Sequence, residues 1–143
     1  MQRANRPGSL ELTLDVRAYA DAALRRMEKL SGFRNVQFII LYGSAAEGRM
    51  TGSSDIDLCL YYDDGRNEAA QFRHAILSAL PGTRFDIQIF QLLPLYVRME
   101  VLRGIPVFVR DPVFLYEKAV ETLKDFDNFK HRLFDYTGEA ALL

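Results

Sequence analysis

Three aspartates and one Gly-Ser pair carry the chemistry available to this chain. Gly43 and Ser44 break an apolar run in "LYGSAAEG", and after a ten-residue spacer Asp55 and Asp57 stand one residue apart in "SSDIDLCL". Asp86 stands in "RFDIQIF". In a strand, residues i and i+2 project to the same face, so Asp55 and Asp57 point together. Two carboxylates that close repel unless positive charge lies between them, and hard oxygen donors suit Mg²⁺. Asp86 falls on the polar face of a later strand, and pairing of the two strands could set it beside Asp57. Three convergent acids could hold two metal ions roughly 3.5–4 Å apart, the spacing of two-metal phosphoryl chemistry. Gly43 lets the backbone turn off its strand. Ser44 can cap a short helix through "AAEG", and free N–H groups with a hydroxyl can cradle a phosphate. On this reading the break binds phosphates and the acids bind the metal that bridges them.

The elements that must position these residues alternate along the chain. Apolar residues recur at helical spacing over 14–30, with Gly32 as the expected C-cap and residues 1–8 as a loose basic lead-in. "NVQFIILY", 35–42, reads as a buried strand, and "DIDLCLYY", 55–62, as a second that alternates Ile56, Leu58 and Leu60 with Asp57, Cys59 and Tyr61. Asp63, Asp64 and Gly65 are turn residues. A helix is expected over 67–80, ended by Pro81-Gly82, then a third strand over 84–92 and a short helix over 95–104 with Gly104 as its stop. Residues 105–111 read as a strand, placed at an edge by Pro106. A last helix runs over 113–136 with Pro112 near its first position. The fold class is therefore α/β (α+β), a mixed sheet of three to four strands flanked by helices, and residues 1–143 form one domain.

Composition narrows the partners. The chain has 143 residues, 49% of them apolar and 26% charged, with a formal net charge of -1. That is one domain's length and core, and the charge argues against stable nucleic-acid binding, which needs a basic face. No apolar run reaches the ~18 residues of a membrane helix, and "MQRANRPGSL" lacks a signal-peptide core, so cytoplasmic residence is expected. The single Cys59 has no internal disulfide partner, and two distant histidines make no zinc site. Cys59 reads as packed between sheet and helix and His74 as a surface residue. His131 lies in the basic, aromatic "FKHRLF", diluted by Asp125, Asp127 and Asp135.

Gly43-Ser44, the spacer, Asp55-Ile56-Asp57 and the later Asp86 resemble the nucleotidyltransferase superfamily of DNA polymerase β, most of all its small single-domain branch, the minimal nucleotidyltransferases (MNT). The likeness covers roughly 14–110 and is strongest over 42–58. It implies that Asp55, Asp57 and Asp86 are catalytic and hold two Mg²⁺ ions, and that Gly43, Ser44 and Arg49 bind the phosphates of ATP or another nucleoside triphosphate. It implies transfer of a nucleotide to a hydroxyl with release of pyrophosphate. Small members often carry arginines after Gly-Ser, whereas this chain has Ala45, Ala46 and Glu47, leaving Arg49 as the nearest substitute.

Members of the MNT class resemble antitoxins paired with a HEPN-domain ribonuclease, some of which add adenylate to a tyrosine of the partner. The resemblance thus implies an antitoxin that transfers AMP to a HEPN-type toxin. Two alternatives stand beside it: a small-molecule enzyme similar to aminoglycoside nucleotidyltransferases, and a non-catalytic module that blocks its partner by contact. The final helix, 112–136, carries more aromatic residues than one docking stripe needs, and its surplus is the expected partner surface.

Overall fold

A computed structural model describes residues 7–47, 55–80, 82 and 84–137. Among these residues five α-helices and four strands alternate: α1 (Pro7–Glu28), β1 (Val36–Tyr42), α2 (Gly43–Ala46), β2 (Ile56–Tyr62), α3 (Arg66–Ala79), β3 (Phe85–Ile89), α4 (Leu95–Leu102), β4 (Ile105–Val109) and α5 (Pro112–Thr137). The strands form one mixed sheet in the order β3-β2-β1-β4. β1 is antiparallel to both neighbours, and β2 and β3 are parallel. A parallel pair needs a crossover, and α3 supplies it.

Both faces of the sheet are covered, which is why β1 is apolar at every position but Gln37. On one face, Ile39, Leu41, Ile56, Leu58, Leu60 and Ile87 pack beneath α1 and α3. On the other, Phe38, Ile40, Tyr42 and Cys59 meet Phe90 and Val101, with Phe114 and Leu115 of α5 packed against them. A bulge between Val36 and Phe38 sends these two residues to opposite cores. Pro106 lies in β4, an edge strand as its sequence implies.

Several boundaries differ from the sequence reading, each for a local reason. α1 begins at Pro7, a residue suited to the first helical turn, rather than near residue 14. It ends at Glu28, and Gly32 has φ −87°, so it is no left-handed cap. Gly32 is instead a close-packing position: a Cβ there would sit 2.5 Å from the Tyr62 hydroxyl and 2.8 Å from the Phe72 ring. β3 ends at Ile89 because the chain tightens into a 3-10 turn over Phe90–Leu92, which buries Phe90 in the second core. β4 ends at Val109, and Asp111 accepts the Val113 N–H at 3.0 Å, capping α5 ahead of Pro112.

Candidate active site

The strand register builds the acidic end of the sheet. Tyr42 pairs with Asp57 across β1 and β2, and Asp57 pairs with Asp86 across β2 and β3. Three side chains from three adjacent strands thus share one rung. Asp57 and Asp86 are half-buried. Asp55 lies just before β2 and is exposed. It acts on Asp57 through its charge. Among the described residues no three His, Cys, Asp or Glu side chains are gathered as a ready-made metal cage. The structure therefore brings two of the three acids into contact and leaves Asp55 at the mouth.

The electrostatics follow from this crowding. Burial, the negative charge of Asp86, the charge of Asp55 and a hydrogen bond with Asp86 together push the Asp57 carboxyl up to about 6. When protonated, Asp57 donates that proton to the Asp86 carboxylate. All four influences act in one direction, the pattern of a site that gains from added positive charge. Burial above all, then the neighbouring Cys59, Asp57 and Asp86, lifts the Tyr42 phenol above its usual range. The donor set is carboxylate oxygen, half-buried and like-charged, and it fits a hard divalent cation such as Mg²⁺ or Mn²⁺.

The Gly-Ser break is tied directly to this rung. Gly43 has φ +74°, in the left-handed region, and a Cβ there would collide with the Asp57 carboxylate oxygen. Glycine is thus required twice, for the turn and for the acid packed against it. α2 starts at Gly43 itself, so Ser44 sits inside the first turn and is not its cap. Ser44 is half-buried, and Glu47 is exposed with its N–H donating to the Gly43 carbonyl at 3.2 Å. Arg49 lies outside the described residues.

Two neighbours of the rung were not singled out from sequence. Tyr42 carries no motif signal beyond ending the strand before Gly43. Gln88 donates from Nε2 to Asp86 Oδ1 at 3.0 Å, and its place two residues after Asp86 was the available signal. Cys59 is buried, and burial pushes its thiol far up, which makes it inert. His131 pairs with Asp127 at 3.5 Å on the exposed side of α5.

Comparison with known proteins places this geometry. The family model for polymerase beta nucleotidyltransferases matches residues 27–113. The chain belongs to that family and is a nucleotidyltransferase. Within it, a Methanocaldococcus jannaschii protein named as a protein adenylyltransferase is 38% identical over 95 residues, spanning 66% of this chain and 73% of that protein. The fold is shared with chains of toxin–antitoxin structures. One, solved with AMP-PNP, superposes with a TM-score of 0.62 at 18% identity, over 81% of this chain and 90% of that one. Another, the tri-AMPylated Shewanella oneidensis HEPN toxin in complex with MNT antitoxin, gives 0.59 at 15% identity, over 82% and 91%. Among the described residues no helix is long and apolar enough to cross a membrane.

Proposed function

We propose that this chain transfers AMP from ATP to a hydroxyl of a HEPN-type toxin and acts as its antitoxin. The observation that carries the chemistry is the shared rung of Asp57 and Asp86 with the Gly43 backbone packed on the Asp57 carboxylate. Support for a protein acceptor comes from the relative named as a protein adenylyltransferase. Support for the kind of partner comes from the toxin–antitoxin complexes that share the fold.

In this reading Asp55, Asp57 and Asp86 hold two Mg²⁺ ions, and Gly43, Ser44 and Arg49 hold the triphosphate. Mg²⁺, when bound, supplies the positive charge that offsets the phosphates and the acids. Asp86 helps to take the proton from the acceptor hydroxyl. That oxygen bonds to the α-phosphorus as the bond to the β-phosphate oxygen breaks, and pyrophosphate leaves. Positioning and charge neutralisation do most of the work, since this type of transfer asks little covalent chemistry of the protein.

A folded acceptor needs a docking surface, and α5 offers one. Tyr116 (69% exposed), Phe129 (47%), Phe134 (37%) and Tyr136 (89%) lie open along it. An apolar groove of about 540 Å³, lined by Met99, Leu102, Pro106, Leu115 and Leu123 among others, flanks its first half. Aromatic anchors of this kind dominate protein interfaces.

The test is the intact mass of an all-helical, HEPN-like neighbour in the genome after incubation with this chain, ATP and Mg²⁺. One adenylyl group adds about 329 Da, the mass of AMP less the water lost on joining the hydroxyl. Tight association with no mass change would favour blocking by contact alone.

A further inference from the structure

We propose that Gln88 is a positioning residue that fixes the Asp86 carboxylate, an inference that rests on reading Asp57 and Asp86 as the cation-holding pair. The two acids are restrained differently by the sheet. Asp57 belongs to a central strand and has Tyr42 on one side and Asp86 on the other. Asp86 belongs to β3, an edge strand, with no strand beyond it among the described residues. Neighbouring strands therefore restrain its side chain from one side only.

Gln88 supplies the missing restraint from within β3. It lies two residues on, so its side chain shares the face of Asp86. It pairs with the fully buried Cys59 two rungs along the sheet, which anchors its backbone beside a central strand. Its Nε2 donates to Asp86 Oδ1 at 3.0 Å. A carboxylate only accepts, so the amide must present its NH₂ group. With Oδ1 engaged, rotation of the carboxylate about its last bond is restricted.

The choice of an amide also has a reason. A lysine or arginine at 88 would orient Asp86 equally well but would neutralise it, and so compete with a divalent cation. An amide orients the ligand and leaves its charge intact, the role that hydrogen-bonding partners behind metal ligands commonly play.

The experiment measures binding of Mn²⁺ alone to the full chain by electron paramagnetic resonance, for wild type, Gln88→Leu and Asp86→Asn. Gln88→Leu should weaken Mn²⁺ binding by about 10- to 100-fold and broaden the bound-ion spectrum, because the ligand geometry is no longer unique. Its melting temperature in chelator should stay within about 2 °C of wild type, which separates positioning from loss of fold. Asp86→Asn should abolish measurable binding. Wild-type affinity and an unchanged spectrum in Gln88→Leu, with binding lost in Asp86→Asn, would overturn the role of Gln88 and leave the pair intact. Unchanged binding in Asp86→Asn, or none in wild type, would overturn the pair itself and the inference with it. If Gln88→Leu does not fold, Gln88→Met, unbranched and of similar length, answers the same question.

Discussion

The two ends of β2 are finished in opposite ways. At its far end, the Gln91 side-chain amide takes up the backbone of Tyr62 on both sides: Tyr62 N–H donates to Gln91 Oε1 at 3.3 Å, and Gln91 Nε2 donates to the Tyr62 carbonyl. Asp63 N–H donates to the Asn35 carbonyl at 2.7 Å, and Arg110 donates to the carbonyls of Val36 and Phe33 at 2.7 and 3.0 Å. Each of these donors meets an acceptor. At the near end, Asp57 meets Asp86 with Asp55 close by, and every influence on Asp57 is unfavourable to its charge. The same sheet can thus close an end neatly where only stability is at stake. Crowding like charges at the other end lowers stability, and sites of this kind are where function resides.

Substitutions at the two ends should separate along that line. Asp57→Asn should reduce adenylate transfer by at least about 10²–10³-fold, the scale seen when a preorganised electrostatic group is removed, read as partner mass after a fixed time. It should also remove the rise in melting temperature that Mn²⁺ with ATP gives wild type by mass action. Gln91→Ala should do the reverse. It should destabilise the fold by about 1–3 kcal/mol, the cost of leaving the Tyr62 backbone groups without their partner, with the transfer rate per folded molecule unchanged. A Gln91 variant that lost transfer at full stability would break the comparison.

A third region tests the partner reading. Phe129→Ser or Phe134→Ser should leave the melting temperature within about 1 °C, since both side chains are substantially exposed. Either should weaken partner association by about tenfold, as loss of an aromatic anchor does, measured by calorimetric titration.

The smallest effect is in pH. Asp57 titrates near 6 in the folded chain against an ordinary value of 3.8, so between those values the native state holds more protons than the unfolded one. The stability this group contributes is full below the ordinary value and is lost as pH rises through about 6. In chelator the melting temperature should therefore gain about 2–4 °C from this group between pH 7 and pH 5. Asp57→Asn should not show that gain, and Mn²⁺ stabilisation should shrink over the same interval as protons compete for the pair.

Much of this was legible in residue types. Period-two alternation exposed β2 and β3, Pro106 marked an edge, and Gly43-Ser44 with Asp-Ile-Asp marked the nucleotidyltransferase family. Alternation fixes which face a residue takes but not which residue it faces, so the pairing of Asp57 with Asp86 required the register. Gln91 was hidden because the apolar pattern runs on to residue 92, whereas burial of Phe90 turns the chain after Ile89. Gly32 and Gly104 both read as helix stops. Their demand is spatial, since a Cβ at Gly104 would strike the Leu41 carbonyl, and no local pattern reports what another strand will bring close.

The parallel pairing of β2 with β3 also sets when the acidic rung can exist. Asp57 and Asp86 are separated by the whole of α3 and meet only after that crossover has docked. Non-local parallel pairings of this kind form slowly, because the loop entropy is lost before the contacts are made. A nascent chain that has emerged only through β2 carries Asp55 and Asp57 but not their counterpart. The sheet order has the same consequence in reverse: with β3 detached, the two acids are apart while β1, β2 and β4 can remain paired. Any opening that frees β3 therefore parts the paired carboxylates without breaking the antiparallel pairing of β1 with β2 and β4.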